Sequence, residues 1–125
     1  MKRFLLDSSI INDILSGNAR GQKAATRIEG GELATSVICY CEVLNNINLD
    51  KQPKAETFIS KLLVFGLSVG DGKIARDLQD SCRAAGKQVP TIDCLIAATA
   101  LANHATVVSS DSDFARIDGV EKLVF

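Results

Sequence analysis

An apolar helical segment that leads into a short β-branched run constrains this chain more than any other feature. Residues 94–102 (CLIAATALA) are apolar on nearly every face, which predicts a buried helix. Residues 106–108 (TVV) follow and are typical of a buried strand. Asp93 stands directly before this unit and Asp111 shortly after it. Because an unpaired carboxylate beside a core is costly, these acids need a partner.

Apolar runs alternate with helical patterns along the whole chain. The predicted strands are residues 4–6, 33–35, 67–69, 106–108 and 123–125. Residues 111–116 predict a single helical turn, and the longer segments between strands predict helices. This alternation predicts an α/β fold, a three-layer α/β/α sandwich with a mostly parallel central sheet.

For two of the predicted helices, the sequence pattern also predicts which residues face the core. Ser36 is expected to cap a helix that runs to about residue 48. Its predicted inward stripe consists of Val37, Tyr40, Cys41, Leu44 and Ile47. Pro53 is expected to start another helix. Its predicted inward residues are Phe58, Ile59, Leu62 and Leu63.

Size and composition predict one compact domain over residues 1–125. The formal net charge of −1 gives no reason to expect nucleic-acid binding by bulk attraction. The four cysteines lack zinc-finger or C-x-x-C spacing, so we expect reduced core or near-core residues in a cytoplasmic protein. No stretch approaches the length of a membrane span, so no membrane association is predicted.

Several acids are predicted to meet at one edge of the sheet. Asp7 and Asp111 each follow a predicted strand, Asp93 begins a helix, and Glu42 lies one to two turns into another. In parallel sheets, functional groups gather beyond the carboxyl ends of the strands. Converging carboxylates repel one another unless a cation intervenes, and Mg²⁺ or Mn²⁺ are the natural partners. The chemistry that follows is phosphodiester hydrolysis by metal-activated water.

Each acid taken alone also has a structural interpretation. Asp7, Asp93 and Asp111 each fit a helix N-cap, and Asp113 fits a first-turn acid that complements the helix dipole. Glu42 alone fits a solvated helix residue. The joint pattern favours a site, because three acids at strand ends or helix starts all flank apolar core.

Four motifs then carry a resemblance to a known family. FLLDSS, SVICYCE, TIDCLIAATAL and VVSSDSDF, in this order, resemble the PIN-domain family, and the compact length resembles its VapC-type toxin ribonucleases. The resemblance implies metal-site acids at Asp7, Glu42, Asp93 and Asp111, with Asp113 as an additional acid. It also implies supporting roles for Ser8 and Ser109. Cys39 and Ser110 depart from the family pattern, which has Thr at the first position and Arg or Asn at the second.

By this resemblance the protein is expected to be a Mg²⁺- or Mn²⁺-dependent endoribonuclease, the toxin of a toxin–antitoxin pair. RNA as substrate, a small antitoxin partner and homodimerisation are implied with it. The antitoxin is predicted to lie over two apolar helix faces, formed by Ile10, Ile11, Ile14 and Leu15 and by Val43, Leu44 and Ile47. Basic residues outside the acidic site are predicted to hold the RNA backbone; these are Arg20, Lys23, Arg27, Lys73, Arg76, Arg83 and Arg116.

Two alternatives remain open at this point. One is a catalytically silent PIN-like module that binds partners. The other is a receiver-like Mg²⁺-binding signalling domain, which would require paired acids after the first strand and a lysine after the last core strand. Ser8 and Ser9 follow Asp7 instead, and Lys122 is the first lysine after Ser110.

Overall fold

The first strand, Arg3–Leu6, is buried on both faces, and this explains why helices must cover both sides of the sheet. Leu5 belongs to one core cluster, whereas Phe4 and Leu6 belong to the other. Successive side chains of a strand point to opposite faces, so a continuous apolar run suits a sheet that is covered on both sides.

The computed structural model describes residues 1–48 and 52–125. The strands are β1 (Arg3–Leu6), β2 (Glu32–Ser36), β3 (Leu63–Phe65), β4 (Thr106–Ser109) and β5 (Lys122–Val124). The helices are α1 (Ser8–Ser16), α2 (Ala19–Arg27), α3 (Val37–Asn46), α4 (Pro53–Ser60), α5 (Val69–Ala84) and α6 (Thr91–Ala102). A 3₁₀ turn, Ser112–Arg116, follows β4. Across the described ranges, none of these helices combines the length and apolar character needed to cross a membrane.

The five strands are all parallel and lie in the order β3-β2-β1-β4-β5. Residues of α1, α2 and α4 form the core on one face of the sheet, and residues of α5 and α6 form the core on the other. The predicted three-layer α/β/α sandwich is thereby confirmed. The chain proceeds from β1 to β2 on one side, while β4 lies on the other side of β1. In open α/β sheets such a switch point opens a crevice beyond the carboxyl ends of the strands.

The predicted strand at residues 67–69 is wrong, because Ser68 is the N-cap of α5. The Ser68 side chain accepts a hydrogen bond from the Asp71 backbone, and the Asp71 side chain accepts one from the Ser68 backbone. This capping box fixes the start of α5. The third strand forms earlier in the chain, and Leu63, predicted to face inward from a helix, lies in that strand and is 44% exposed.

The predicted inward stripe of α3 is also partly wrong. Val37 and Cys41 are exposed, whereas Cys39 and Val43 are buried. Nearly every position of this helix is apolar, so periodicity alone could not select the face. Cys39 contacts the α5–α6 core and Val43 the opposite core, which sets the rotation of the helix. The expectation of a core or near-core position therefore fails for Cys41.

Candidate metal centre

Two acids of the candidate site, Asp111 and Asp113, lie at the start of the 3₁₀ turn after β4. The backbone N–H of Asp111 donates to Ser109 Oγ at 2.9 Å, and the Asp111 carboxylate accepts from the backbone N–H of Asp113, also at 2.9 Å. Asp111 is therefore the N-cap of this turn, as its structural interpretation proposed. The cap uses one carboxylate oxygen, which leaves the other available for a ligand.

The first turn of α6 brings Asp93 to the same place. This helix leads into β4, so its beginning lies near the carboxyl end of the strand. Carboxylate oxygens of Asp93, Asp111 and Asp113 all lie within 4.8 Å of one another, and the three residues are partly buried. Asp93 is not a helix cap, since Pro90 occupies the N-cap position. Within residues 1–48 and 52–125, no donor is hydrogen-bonded to the Asp93 carboxylate.

Asp7 lies beside this group and is buried. It occupies the N-cap position of α1, yet its side chain makes no capping hydrogen bond. Its Oδ2 atom accepts from Ser9 Oγ at 2.7 Å and from Ser109 Oγ at 2.8 Å, and the Cys39 thiol lies 3.5 Å from Oδ1. Neutral donors thus hold the Asp7 carboxylate towards the switch point between β1 and β4.

Glu42 is exposed on α3, next to the buried Cys39 face. Partial burial and the negative charge of Asp7 raise the pKa of Glu42 above its usual range, while a hydrogen bond with the Ser8 side chain opposes that rise. Glu42 therefore shares an electrostatic environment with Asp7, although it lies outside the group of three acids within 4.8 Å.

The charges of the predicted acids act on one another most strongly at Asp93. Burial, followed by the charges of Asp111, Asp7 and Glu42, raises the pKa of Asp93 from 3.8 to about 6, while Arg116 acts in the opposite direction. The structure thus brings Asp93, Asp111 and Asp113 together, with Asp7 and Glu42 within electrostatic range.

Ser109 and Ser9 connect the two sides of the site. Ser109 is fully buried and links Asp7 to the Asp111 backbone, whereas Ser9 Oγ donates to Asp7 and accepts from the Ser110 backbone at 3.1 Å. The contact of the Cys39 thiol with Asp7 and the role of Ser9 were not predicted. Ser9 could have been found as a second hydroxyl two residues after the first acid, but no sequence signal indicates the Cys39 contact.

The donor set fits a hard divalent cation. Three carboxylates within 4.8 Å, one of them without a hydrogen-bond donor in the described residues, provide the oxygen ligands that Mg²⁺ and Mn²⁺ prefer. A cation bound there would relieve the mutual repulsion that raises the Asp93 pKa. Arg116, which pairs with Asp113, supplies part of this compensation from one side.

The chain is similar to known proteins in both sequence and fold. The sequence matches the PIN domain family over residues 4–120. VapBC2 from Rickettsia felis, bound to a DNA fragment from its promoter, is 19% identical, with a TM-score of 0.78 and coverage of 98% of each chain. FitAcB from Neisseria gonorrhoeae is 22% identical, with a TM-score of 0.78 and coverage of 96% of each chain.

A toxin–antitoxin complex from Klebsiella pneumoniae is 20% identical, with a TM-score of 0.75, and the match covers 99% of this chain and 97% of that one. At these identities the structural similarity establishes the fold alone. No curated protein sequence matches the chain.

Proposed function

Because the chain belongs to the PIN-domain family, we propose that it is a divalent-metal-dependent endoribonuclease, with one nuclease domain spanning residues 1–125. One observation carries the proposal: the carboxylates of Asp93, Asp111 and Asp113 lie within 4.8 Å of one another at the carboxyl edge of a parallel sheet. Such a site is suited to phosphodiester hydrolysis, because a phosphate approaching it needs a cation between its own charge and those of the acids.

Asp93, Asp111 and Asp113 would hold the metal ion, with Asp7 and Glu42 beside them as ligands, directly or through water. A bound Mg²⁺ or Mn²⁺ would lower the pKa of a water and compensate the charge of the phosphate. Asp7 is fixed in place by Ser9 and Ser109. Ser109 supports the site a second time by accepting from the Asp111 backbone.

Glu42 is our candidate for the residue that orients the attacking water. Burial and the charge of Asp7 raise its pKa, so it is a stronger base than an ordinary glutamate, and it lies outside the group of three acids. The Ser8 side chain acts on the same carboxylate and lowers its pKa, which opposes part of this rise.

RNA as the substrate and the toxin role follow from the resemblance to VapC-type proteins. Solved structures with this fold include a toxin–antitoxin complex, which supports a small antitoxin as the partner of this protein. A groove of about 530 Å³ between α1, α3 and α4 supports the predicted antitoxin site, with Leu15 and Ile47 in its lining. Ile10, Ile11 and Val43 are buried in the core and are not available to a partner.

The test is cleavage of single-stranded RNA by the purified protein in Mg²⁺ or Mn²⁺. Asp93→Asn should abolish cleavage and keep the fold, because the amide has the same shape but is a poor ligand. Asp77→Asn, on the exposed face of α5, is the matched control and should cleave at the wild-type rate. Full activity of Asp93→Asn, or no cleavage by the wild type with either metal, would contradict the proposal and favour a silent binding module.

A further inference from the structure

A groove of about 670 Å³ opens beside the candidate metal centre. It lies between α5, the loop that leads into α6, and the 3₁₀ turn, and Arg83, Gln88, Pro90, Asp113 and Arg116 line it. Asp113 belongs both to this groove and to the group of three acids. A molecule bound in the groove would therefore reach the metal centre without crossing another element.

Two arginines face this groove from different elements. Arg116 pairs with Asp113, and Arg83 Nη1 lies 3.3 Å from Asp80 Oδ1. Their side chains are 45% and 64% exposed, so these ion pairs are weak enough to be exchanged for a phosphate. A guanidinium also carries five N–H donors, so Arg116 can bind Asp113 and a phosphate at the same time.

The loop supplies groups of a different kind. Gln88 is exposed, and its side chain has no hydrogen-bond partner among residues 1–48 and 52–125. Gln79 holds the loop in place, since its Nε2 donates to the Val89 carbonyl at 3.0 Å and to Thr91 Oγ1 at 3.1 Å. The exposed Pro90 ring adds an apolar face to the same wall.

The groove thus offers two arginines that can bind phosphate, the Pro90 ring as an apolar surface, and the Gln88 amide as a hydrogen-bonding group. Together these groups match the chemistry of a nucleotide. We propose that this groove binds the nucleotide of single-stranded RNA that adjoins the cleaved phosphodiester. Arg83 and Arg116 contact its phosphates, and Gln88 bonds to the edge of its base. The assignment rests on the proposed nuclease function, because only that function brings an RNA strand to the acids.

The size of the groove agrees with a single strand. Its volume falls within the range of roughly 300–1,000 Å³ that is typical of small-ligand sites, which is enough for a nucleotide. Sequence-specific RNA recognition targets unpaired bases, whose edges are open to side-chain amides. A strand that enters beside Pro90 would present its next phosphate to the metal centre through the shared residue, Asp113.

The experiment measures binding of a fluorescent single-stranded RNA of mixed sequence to the full chain in EDTA, by anisotropy over a range of salt concentrations. Arg83→Ala with Arg116→Ala should lower the affinity about tenfold, as expected for lost charge-assisted hydrogen bonds. The salt slope should fall by about 1.4, since each phosphate contact on a single strand contributes about 0.7. Circular dichroism melts verify that each variant is folded.

The matched control is Lys54→Ala with Lys61→Ala. Both lysines are exposed, one on α4 and one directly after it, and neither lines the groove. This control should keep the wild-type affinity and salt slope. Gln88→Ala, measured on single-base homopolymers, should reduce the difference in affinity between bases, whereas Gln22→Ala on α2 should leave that difference unchanged.

The results distinguish failure of the groove proposal from failure of the nuclease proposal. The groove proposal is refuted if the Arg83/Arg116 variant keeps the wild-type affinity and salt slope. It is also refuted if the wild type does not bind RNA. An unchanged base preference in Gln88→Ala would overturn the assignment of the base edge. If the wild type binds RNA through these arginines but does not cleave it in Mg²⁺ or Mn²⁺, the nuclease proposal fails, and the groove remains an RNA-binding site without a cleaved phosphodiester beside it.

Discussion

At the scale of single residues, the raised pKa of Asp93 shows that the acids of the site repel one another. Burial and three neighbouring acids raise its pKa to about 6. The folded protein therefore binds a proton at Asp93 more readily than the unfolded chain between about pH 4 and pH 6. Across this window the unfolded state binds fewer protons, so the contribution of Asp93 to stability falls as the pH rises.

Asp93→Asn should consequently stabilise the metal-free protein, and by more at neutral than at acidic pH. The gain in the free energy of unfolding should reach about 1 kcal/mol near pH 7.5, after a discount for solvent screening of a half-buried group. It should shrink towards about pH 4.5, where the folded wild type is already protonated. Urea unfolding in EDTA at both pH values measures the difference.

Metal ions should make the wild type the more stable of the two proteins. Mg²⁺ or Mn²⁺ that binds only the folded state raises the melting temperature by mass action. The melting temperature of the wild type should therefore rise on addition of metal, whereas that of Asp93→Asn should not. A variant that is less stable than the wild type at neutral pH in EDTA would contradict the electrostatic interpretation.

Ser109 is the second residue whose contribution can be isolated. It is fully buried, donates to Asp7 and accepts from the Asp111 backbone, so Ser109→Ala leaves two polar groups without this partner. We expect a loss of about 1–3 kcal/mol in the free energy of unfolding and a slower cleavage rate. Ser110→Ala is the control and should unfold like the wild type. Equal stability of the two variants would show that the Ser109 hydroxyl does not hold the site together.

At the scale of elements, α5 and α6 end in the same motif with different residues. After α5, the Lys87 N–H donates to the Cys82 carbonyl at 2.8 Å, and Gly86 has a φ of 75°. After α6, the Ala105 N–H donates to the Ala100 carbonyl at 2.9 Å, and His104 has a φ of 53°. Both are Schellman ends, in which the left-handed position favours glycine.

Two substitutions at these ends should therefore have opposite signs. His104→Gly should raise the free energy of unfolding by about 0.5–1 kcal/mol, because it removes the left-handed strain of a residue with a Cβ. Gly86→Ala should lower it by about 1 kcal/mol, because it introduces the same strain. Neither residue contacts the acids, so RNA cleavage should not change. Destabilisation by His104→Gly would indicate that its side chain makes a contact worth more than the strain.

The elements also show where sequence reasoning fails. β1, α1, α6 and β4 were predictable because unbroken apolar runs and stop residues such as Gly17 define them locally. The third strand was misplaced because the exposed apolar residues at 67 and 69 imitate a strand, while the Ser68–Asp71 capping box starts a helix. The α3 face depends on tertiary contacts with both cores, which no local period encodes.

At the scale of the whole molecule, topology turns scattered acids into one site. Asp7 and Asp111 are far apart in the chain but follow neighbouring parallel strands, β1 and β4. Their proximity was predictable from the rule that parallel strands share a carboxyl edge. The groove lined by Arg83 and Arg116 was not predictable in this way, because α5, the loop that follows it and the 3₁₀ turn must meet to form it.

The same topology leaves β3 and β5 as the edges of the sheet. Large apolar side chains are exposed along the β3 edge and the start of α5; they are Leu63, Val64, Leu67 and Val69. An exposed strand edge with an apolar patch invites association, and a two-fold pairing would cover it. This surface is our candidate for the homodimer interface implied by the family resemblance.

Leu67→Lys with Val69→Asp should abolish the proposed dimerisation through this surface. Both side chains are exposed, 44% and 80%, so the fold should tolerate the substitutions while a self-complementary apolar interface loses its centre. Sedimentation equilibrium at micromolar protein should give a dimer for the wild type and a dissociation constant at least about tenfold weaker for the variant. Val124→Lys, on the opposite edge strand and 38% exposed, is the matched control and should remain dimeric. A monomeric wild type would refute the dimer, and a dimer disrupted only by Val124→Lys would move the interface to β5.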